Sequence, residues 1–160
     1  MRYPQFGEDK MISEIFEKIG TTNKLFVDIG AGCRWSNVEF LEIQGWTGLK
    51  LDREYGDNIT AENVEAFLMD LPDNFDFLTI DIDGNDYWVW KAITKSPRVV
   101  CIEYESRANG EWIQEYNPTH EWDNHSKVGA SKEALMKLAE EKGYTFFGET
   151  GEANLFFIKV

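Results

Sequence analysis

Histidine and cysteine are scarce in this chain, with two of each among 160 residues. Cys33 and Cys101 lie far apart and fit neither a metal-ligand spacing nor a disulfide framework, so they are read as reduced thiols of a cytosolic protein. Basic residues are few as well: 16 Lys and Arg stand against 29 Asp and Glu, a net charge of −13. The acidic surplus is spread along the chain, and no Lys/Arg cluster interrupts it. Such a chain repels phosphate backbones and anionic lipid, which argues against nucleic acid and membrane as partners. No apolar run approaches the roughly 20 residues needed to span a bilayer. The polar stretch from Met1 to Lys10 lacks the apolar core of a signal peptide. Internal repeats, low-complexity segments and linkers are absent too. The expectation is a soluble, cytoplasmic protein.

An apolar share of 42% is ordinary for a globular protein and supports one real core, so residues 1–160 are read as one domain. Strands and helices alternate along it. Met11, Ile15, Phe16 and Ile19 fall on one face of a predicted helix from Lys10 to Ile19. Leu25-Phe26-Val27-Asp28-Ile29 is a short apolar run closed by Gly30-Ala31-Gly32, the pattern of a buried strand and a glycine turn. Ser36 reads as the cap of a helix stopped at Gly45. Strands are expected at Gly48–Asp52, Phe75–Ile82 and Arg98–Tyr104, with an edge-strand stub near Asn58 and Ile59. Helices are expected from Thr60 or Ala61 to Met69, from Tyr87 to Thr94, and from a Ser131 cap to Lys142. Tyr144–Glu149 and Asn154–Val160, joined at Thr150-Gly151-Glu152-Ala153, read as a terminal antiparallel hairpin. Residues 105–130 show no periodicity, and a loop so long in a compact domain is usually functional.

Open parallel sheets bind ligands beyond the carboxyl ends of their strands, which directs attention to the residues after Asp28, Asp52, Ile82 and Tyr104. The turn at Gly30-Ala31-Gly32 lets backbone approach a ligand closely. A dinucleotide loop of the form G-x-G-x-x-G needs a small third residue, and Trp35 stands there instead. Asp28 at the mouth of the turn repels a pyrophosphate but favours an ammonium or a sulfonium. S-adenosylmethionine carries both cations. Asp52 ends the second strand, where an acid accepts hydrogen bonds from ribose hydroxyls.

Five passages now resemble one family: Phe26-Val27-Asp28-Ile29-Gly30-Ala31-Gly32, Gly45-Trp46-Thr47-Gly48, Ile80-Asp81-Ile82-Asp83-Gly84-Asn85-Asp86-Tyr87, Pro97-Arg98-Val99-Val100-Cys101-Ile102-Glu103-Tyr104, and Gly151-Glu152-Ala153-Asn154-Leu155-Phe156-Phe157. In this order they resemble the FkbM-type branch of the S-adenosylmethionine-dependent methyltransferases. The resemblance implies an α/β, Rossmann-like sandwich: a mostly parallel seven-stranded sheet with a C-terminal antiparallel hairpin and helices on both faces. It also implies methyl transfer to a hydroxyl of a small molecule or sugar. Carried over by position, Asp28, Gly30, Ala31 and Gly32 would line the amino-acid end of the cofactor, and Asp52 would hold the ribose. Asp81 and Asp83 would lie beside the methyl group. The chain departs from the family at Arg34 and Trp35, where many relatives have another glycine, and in the short stretch between Asp52 and Phe75.

Asp81, Asp83, Asn85, Asp86, Glu103 and Glu105 crowd two adjacent strand ends. Strand alternation puts Asp81 and Asp83 on one side. Hard oxygen donors suit Mg²⁺ or another divalent cation, and Asp81, Asp83 and Glu103 are the candidate ligands. The alternative is a cofactor contact at Asp81, a helix cap at Asp83 to Asp86 and a solvated Glu103. Asp83 and His125 are the candidate bases for the acceptor proton; His120 shares the loop with His125. Trp112, Tyr116 and Trp122 are candidates for an apolar lid. A cofactor-binding protein without transfer activity, or a partner subunit, remains the other class of function. The exposed hairpin edge leaves both a monomer and a homodimer open.

Overall fold

The computed structural model describes residues 4–30, 32 and 36–160. Ala31, Arg34 and Trp35, which carried the cofactor-loop expectations, lie outside the described residues, as does Cys33. Six strands form one mixed sheet: β1 (Leu25–Ile29), β2 (Thr47–Leu51), β3 (Phe77–Ile80), β4 (Val99–Glu103), β5 (Tyr144–Thr150) and β6 (Asn154–Lys159). Their order is β2-β1-β3-β4-β6-β5. The first four are parallel, and β6 runs antiparallel to both β4 and β5.

Helices cover both faces, because the central strands are apolar on both sides. On one face α1 (Glu8–Ile19) and α2 (Glu39–Ile43) pack Ile12, Ile15, Phe16 and Leu41 against Phe26, Phe77, Val99, Cys101 and Phe156. On the other, α3 (Val64–Leu68), α4 (Asp86–Ala92) and α5 (Lys132–Glu141) pack against Val27, Ile29, Leu78, Ile80, Val100 and Ile102. Ser131 caps α5 as its sequence implies, whereas Ser36, the expected cap of the preceding helix, closes a turn ahead of α2, whose own N-cap is Val38 with no side-chain cap. Ser36 Oγ accepts from Val38 and Glu39 N–H ahead of α2, and Ser131 Oγ accepts from Ala134 N–H at α5. Trp90 is fully buried between Tyr144 and Phe157, so the aromatic run of α4 is core on one side. No helix among the described residues is long and apolar enough to cross a membrane.

The sheet has six strands among the described residues, not the seven expected, and β2 and β5 are its edges. The stub at Asn58 and Ile59 does not pair. Its backbone is satisfied locally: Asn63 Nδ2 donates to Asn58 O at 2.8 Å, and Asn63 Oδ1 accepts from Thr60 N–H at 2.8 Å. A side chain that closes a turn in this way removes the groups a strand would offer its neighbour. The same turn shortens the following helix to Val64–Leu68.

Asp76, just before β3, fastens the amino ends of the parallel strands. Fully buried, it accepts from the N–H groups of Thr22, Asn23 and Lys24, from Thr22 Oγ1, and from Arg98 Nη1 at 2.8 Å. Burial works against its ionisation, but Arg98 and the other donors hold its carboxyl below the usual range. Asp76→Ala leaves Arg98 and several N–H groups without their acceptor. A loss of about 3–5 kcal/mol is expected, readable as a lower urea midpoint with unchanged slope.

Candidate functional site

The carboxyl ends of β1 to β4 open into a cleft of about 760 Å³, within the range of small-molecule sites. Its floor is backbone-tight. Gly30 has φ +102°, its N–H donates to Leu51 O at 2.8 Å, and a Cβ there would fall 1.8 Å from the carbonyl oxygen of Asp81. A Cβ on Gly32 would fall 2.3 Å from Asp52 Oδ1. Glycine is therefore sterically required at Gly30, against the backbone at the end of β3, while a Cβ at Gly32 would displace the Asp52 carboxylate. Asp52 lines the cleft, and its Oδ1 also accepts from Glu54 N–H at 2.8 Å, capping the 3₁₀ turn Arg53–Tyr55.

Asp28 is buried on the α1 side of β1 and lines an adjoining cavity of about 20 Å³ with Glu8, Asn37 and Asn154. Gly30 and Asp81 line both spaces. The sequence placed Asp28 at the mouth of the turn; the structure sets it behind the floor.

The acidic cluster divides. Ile80 pairs with Ile102, so Asp81 and Glu103 follow as lateral neighbours on one face. Strand alternation does not bring Asp83 to them, because β3 ends at Ile80 and Asp83 turns back with φ +52°. That turn nevertheless delivers it: carboxylate oxygens of Asp81, Asp83 and Glu103 lie within 4.8 Å of one another. Asp86 is drawn away, accepting from Ile82 N–H at 2.9 Å and Gly84 N–H at 3.0 Å, and so holds the turn. Glu105 is withdrawn too, gripped by Arg107 at 2.8 Å; that contact outweighs its burial and holds its carboxyl at about 2. No ion pair among the described residues reaches Asp81, Asp83 or Glu103. Burial, followed by the Asp86 and Asp83 charges, pushes the Asp81 carboxyl up to about 7 against a hydrogen bond from Glu103. Glu103 is raised well above the carboxylate range by burial and by Asp81. Asp83 is raised by burial and by Asp86.

Residues 105–130 form the opposite wall. Asn85 and Asn117 exchange hydrogen bonds, Trp88 Nε1 donates to Gln114 O, and Arg53 Nη2 donates to His120 O at 2.7 Å. The loop presents His120, not His125, to the cleft. His125 is exposed, lies outside the cleft lining, and contributes its carbonyl to Arg107. Gln114 fixes the His120 ring. Its Oε1 accepts from Gly129 N–H at 2.9 Å, which leaves Nε2 to donate to His120 Nδ1 at 3.1 Å. The neutral ring then carries its proton on Nε2, a buried atom with no partner among the described residues. A Cβ on Gly84 would fall 2.3 Å from the ring, so that glycine makes the seat for His120. Nothing in the local sequence separated the two histidines, since both sit in polar, aperiodic surroundings.

No protein-family model matches the chain, and no curated protein matches it. Among solved structures, that of the pyocyanin biosynthetic protein PhzM matches with a TM-score of 0.47 and 16% identity, over 93% of this chain and 54% of that one. The chain thus spans about half the length of that structure.

Proposed function

We propose that this protein is an S-adenosylmethionine-dependent methyltransferase of FkbM type that methylates a hydroxyl of a small molecule or carbohydrate. The observation that carries the reading is the glycine-floored cleft: Gly30 against the end of β3, Gly32 against Asp52, and carboxylates along its length. A cofactor with a sulfonium, an ammonium and one carboxylate suits such a lining; a pyrophosphate does not. Asp52 would take the ribose hydroxyls through the oxygen that does not cap the 3₁₀ turn. Gly30, Gly32 and Asp81 would border the methionyl end.

The donor set fits a divalent cation. Metal–oxygen bonds of about 2.0–2.6 Å allow ligand oxygens spaced as those of Asp81, Asp83 and Glu103 are. Bound there, Mg²⁺ would lower the pKa of the acceptor hydroxyl. The chain's own task is to hold that hydroxyl in line with the methyl–sulfur bond, exclude water and receive the proton. S-adenosylmethionine, when bound, would supply the methyl group, its sulfonium becoming a neutral thioether; where no cation occupies the carboxylates, Asp83 would take the acceptor proton. Transfer takes place in the cytoplasm in this reading.

Calorimetric titration with S-adenosylmethionine and S-adenosylhomocysteine, with Mg²⁺ and with chelator, tests the reading. Micromolar binding of either compound is expected, weakened about tenfold or more in Asp52→Ala. If the folded protein binds neither compound, the reading falls.

A further inference from the structure

Trp90 Nε1 and His120 Nε2 are buried side-chain nitrogens with no hydrogen-bond partner among the described residues. Their settings differ. Trp90 is fully buried in the core, its ring against Tyr144 and Phe157. His120 lines the cleft, as does Asp83. A buried N–H left unpaired costs about 1–3 kcal/mol, so a donor held in that state at a cleft calls for an acceptor from outside the chain.

His120 is fixed on every other side. Its backbone N–H donates to Asn117 O at 3.0 Å, and its carbonyl accepts from Arg53 Nη2 at 2.7 Å. Asn117 is itself tied to Asn85. Gln114 Nε2 donates to Nδ1 at 3.1 Å, and this amide orientation is locked because Gln114 Oε1 takes the Gly129 N–H. The ring sits over Gly84, the residue after Asp83, where a Cβ would meet its Cδ2 and Nε2 first. Nε2 is thus the one polar atom of His120 left open. It carries the proton, so the ring offers the cleft a fixed donor and no lone pair. In that form His120 does not act as a base; it orients an oxygen.

Asp83 supplies the complement, an acceptor on the same turn that seats the ring. Burial and Asp86 raise the Asp83 carboxyl, and His120 opposes that rise, as a neighbour would. A hydroxyl fits between such a donor and such an acceptor. Its oxygen accepts from Nε2–H, its proton points to Asp83, and the oxygen keeps a second lone pair for a methyl carbon. A neutral amine has a single lone pair, which pairing with Nε2–H would occupy. An ammonium has none, and a carbonyl has no proton to give.

We propose that His120 makes this cleft select a hydroxyl: Nε2–H, set as a donor by Gln114, binds the acceptor oxygen and orients its remaining lone pair. The hydroxyl's role as methyl acceptor rests on the methyltransferase reading; its binding to His120 does not. Long-range proton–nitrogen nuclear magnetic resonance on the full chain reads which His120 nitrogen carries the proton, with His125→Gln leaving one histidine to assign. Nε2–H is expected in the wild type, and a mixture of tautomers in Gln114→Ala. Phenol, cyclohexanol and methyl α-glucopyranoside are the probes, chosen because they share only the hydroxyl. At least one should shift the Nε2 resonance, and aniline, the amine counterpart of phenol, should not. The affinity of that hydroxyl probe should fall about tenfold in His120→Leu and in Gly84→Ala, which displaces the ring. His120→Gln, which restores an N–H donor, should recover most of that loss. Thermal melting confirms that each variant folds, and the wild-type tautomer and shifts decide the outcome where one does not. A proton on Nδ1, no Nε2 shift with any of the hydroxyl probes, a shift of equal size with aniline, or unchanged affinity in His120→Leu overturns the proposal. Hydroxyl binding at Nε2 without S-adenosylmethionine binding keeps the hydroxyl site and removes the methyltransferase reading instead.

Discussion

In the presence of a chelator, the protein should lose stability as the pH rises from about 4 to about 7, and a divalent cation should return it. Asp81 titrates near 7 in the folded chain, and Glu103 and Asp83 are raised as well. In the unfolded chain such groups titrate near 4. Between those limits the folded state binds more protons than the unfolded state, so unfolding free energy falls with rising pH. The contribution is fully present below the unfolded value and lost as the pH passes through the folded one. Partial exposure of Asp81 and Glu103 limits it to about 1–3 kcal/mol. Glu105, held at about 2 by Arg107, acts oppositely, contributing above pH 4 and losing its share only in strong acid. Thermal melts at pH 5 and pH 8, with Mg²⁺ and with chelator, check the prediction. Mg²⁺ should raise the midpoint at the higher pH and have little effect at the lower, because protons and cation compete for the same oxygens. Asp81→Asn should flatten the pH dependence and remove the Mg²⁺ response together. A cation effect of equal size at both values would place the cation elsewhere.

The second large effect is expected from a single methyl group. Gly30→Ala puts a Cβ 1.8 Å from the Asp81 carbonyl oxygen, at φ +102°. No rotamer relieves a clash between backbone-fixed atoms. Gly30 N–H is bonded to Leu51 O at 2.8 Å on one side, and Asp81 N–H to Ile29 O at 2.9 Å on the other. The turn therefore moves only by parting β1 from β2 or β3. A loss of about 3 kcal/mol or more is expected and, on the proposed function, loss of S-adenosylmethionine binding in whatever fraction stays folded. Urea unfolding and calorimetry measure the two parts separately. Gly56→Ala, a glycine at φ +89° with open space around its missing Cβ, serves as the control for conformational strain alone. It should cost about 1 kcal/mol.

The parallel core and its terminal hairpin were legible in the chain because their signals are local. A buried strand is a short apolar run, a serine ahead of an amphipathic stretch is a cap, and Gly45 and Gly143 stop helices at positive φ. The edge strand at Asn58 and Ile59 was misread because pairing competes with turn formation. The deciding atom belongs to Asn63, whose amide closes on the same backbone. Asp76 was passed over as one polar residue in an apolar run. Its importance comes from Arg98 and the Thr22–Lys24 loop, which share no sequence pattern with it.

The site divides along the same line. Sequence alone pointed to the carboxyl ends of β1 to β4, where the structure opens a cleft, because a strand boundary and a glycine turn are properties of neighbouring residues. It also set the sign of the cleft, since an excess of 29 acids over 16 bases leaves few positions for cations. Only the tertiary structure sorted the acids: Asp81, Asp83 and Glu103 converge, Asp86 ties down its own turn, and Glu105 is taken by Arg107. Only the tertiary structure set His120 at the cleft and His125 outside it, and brought Phe6 over the Gly151 turn from the far end of the chain. Local pattern reports which groups stand beside each other along the backbone. Which carboxylate keeps its charge, and which ring faces the cleft, depends on neighbours tens of residues away that exist only once the sheet has closed.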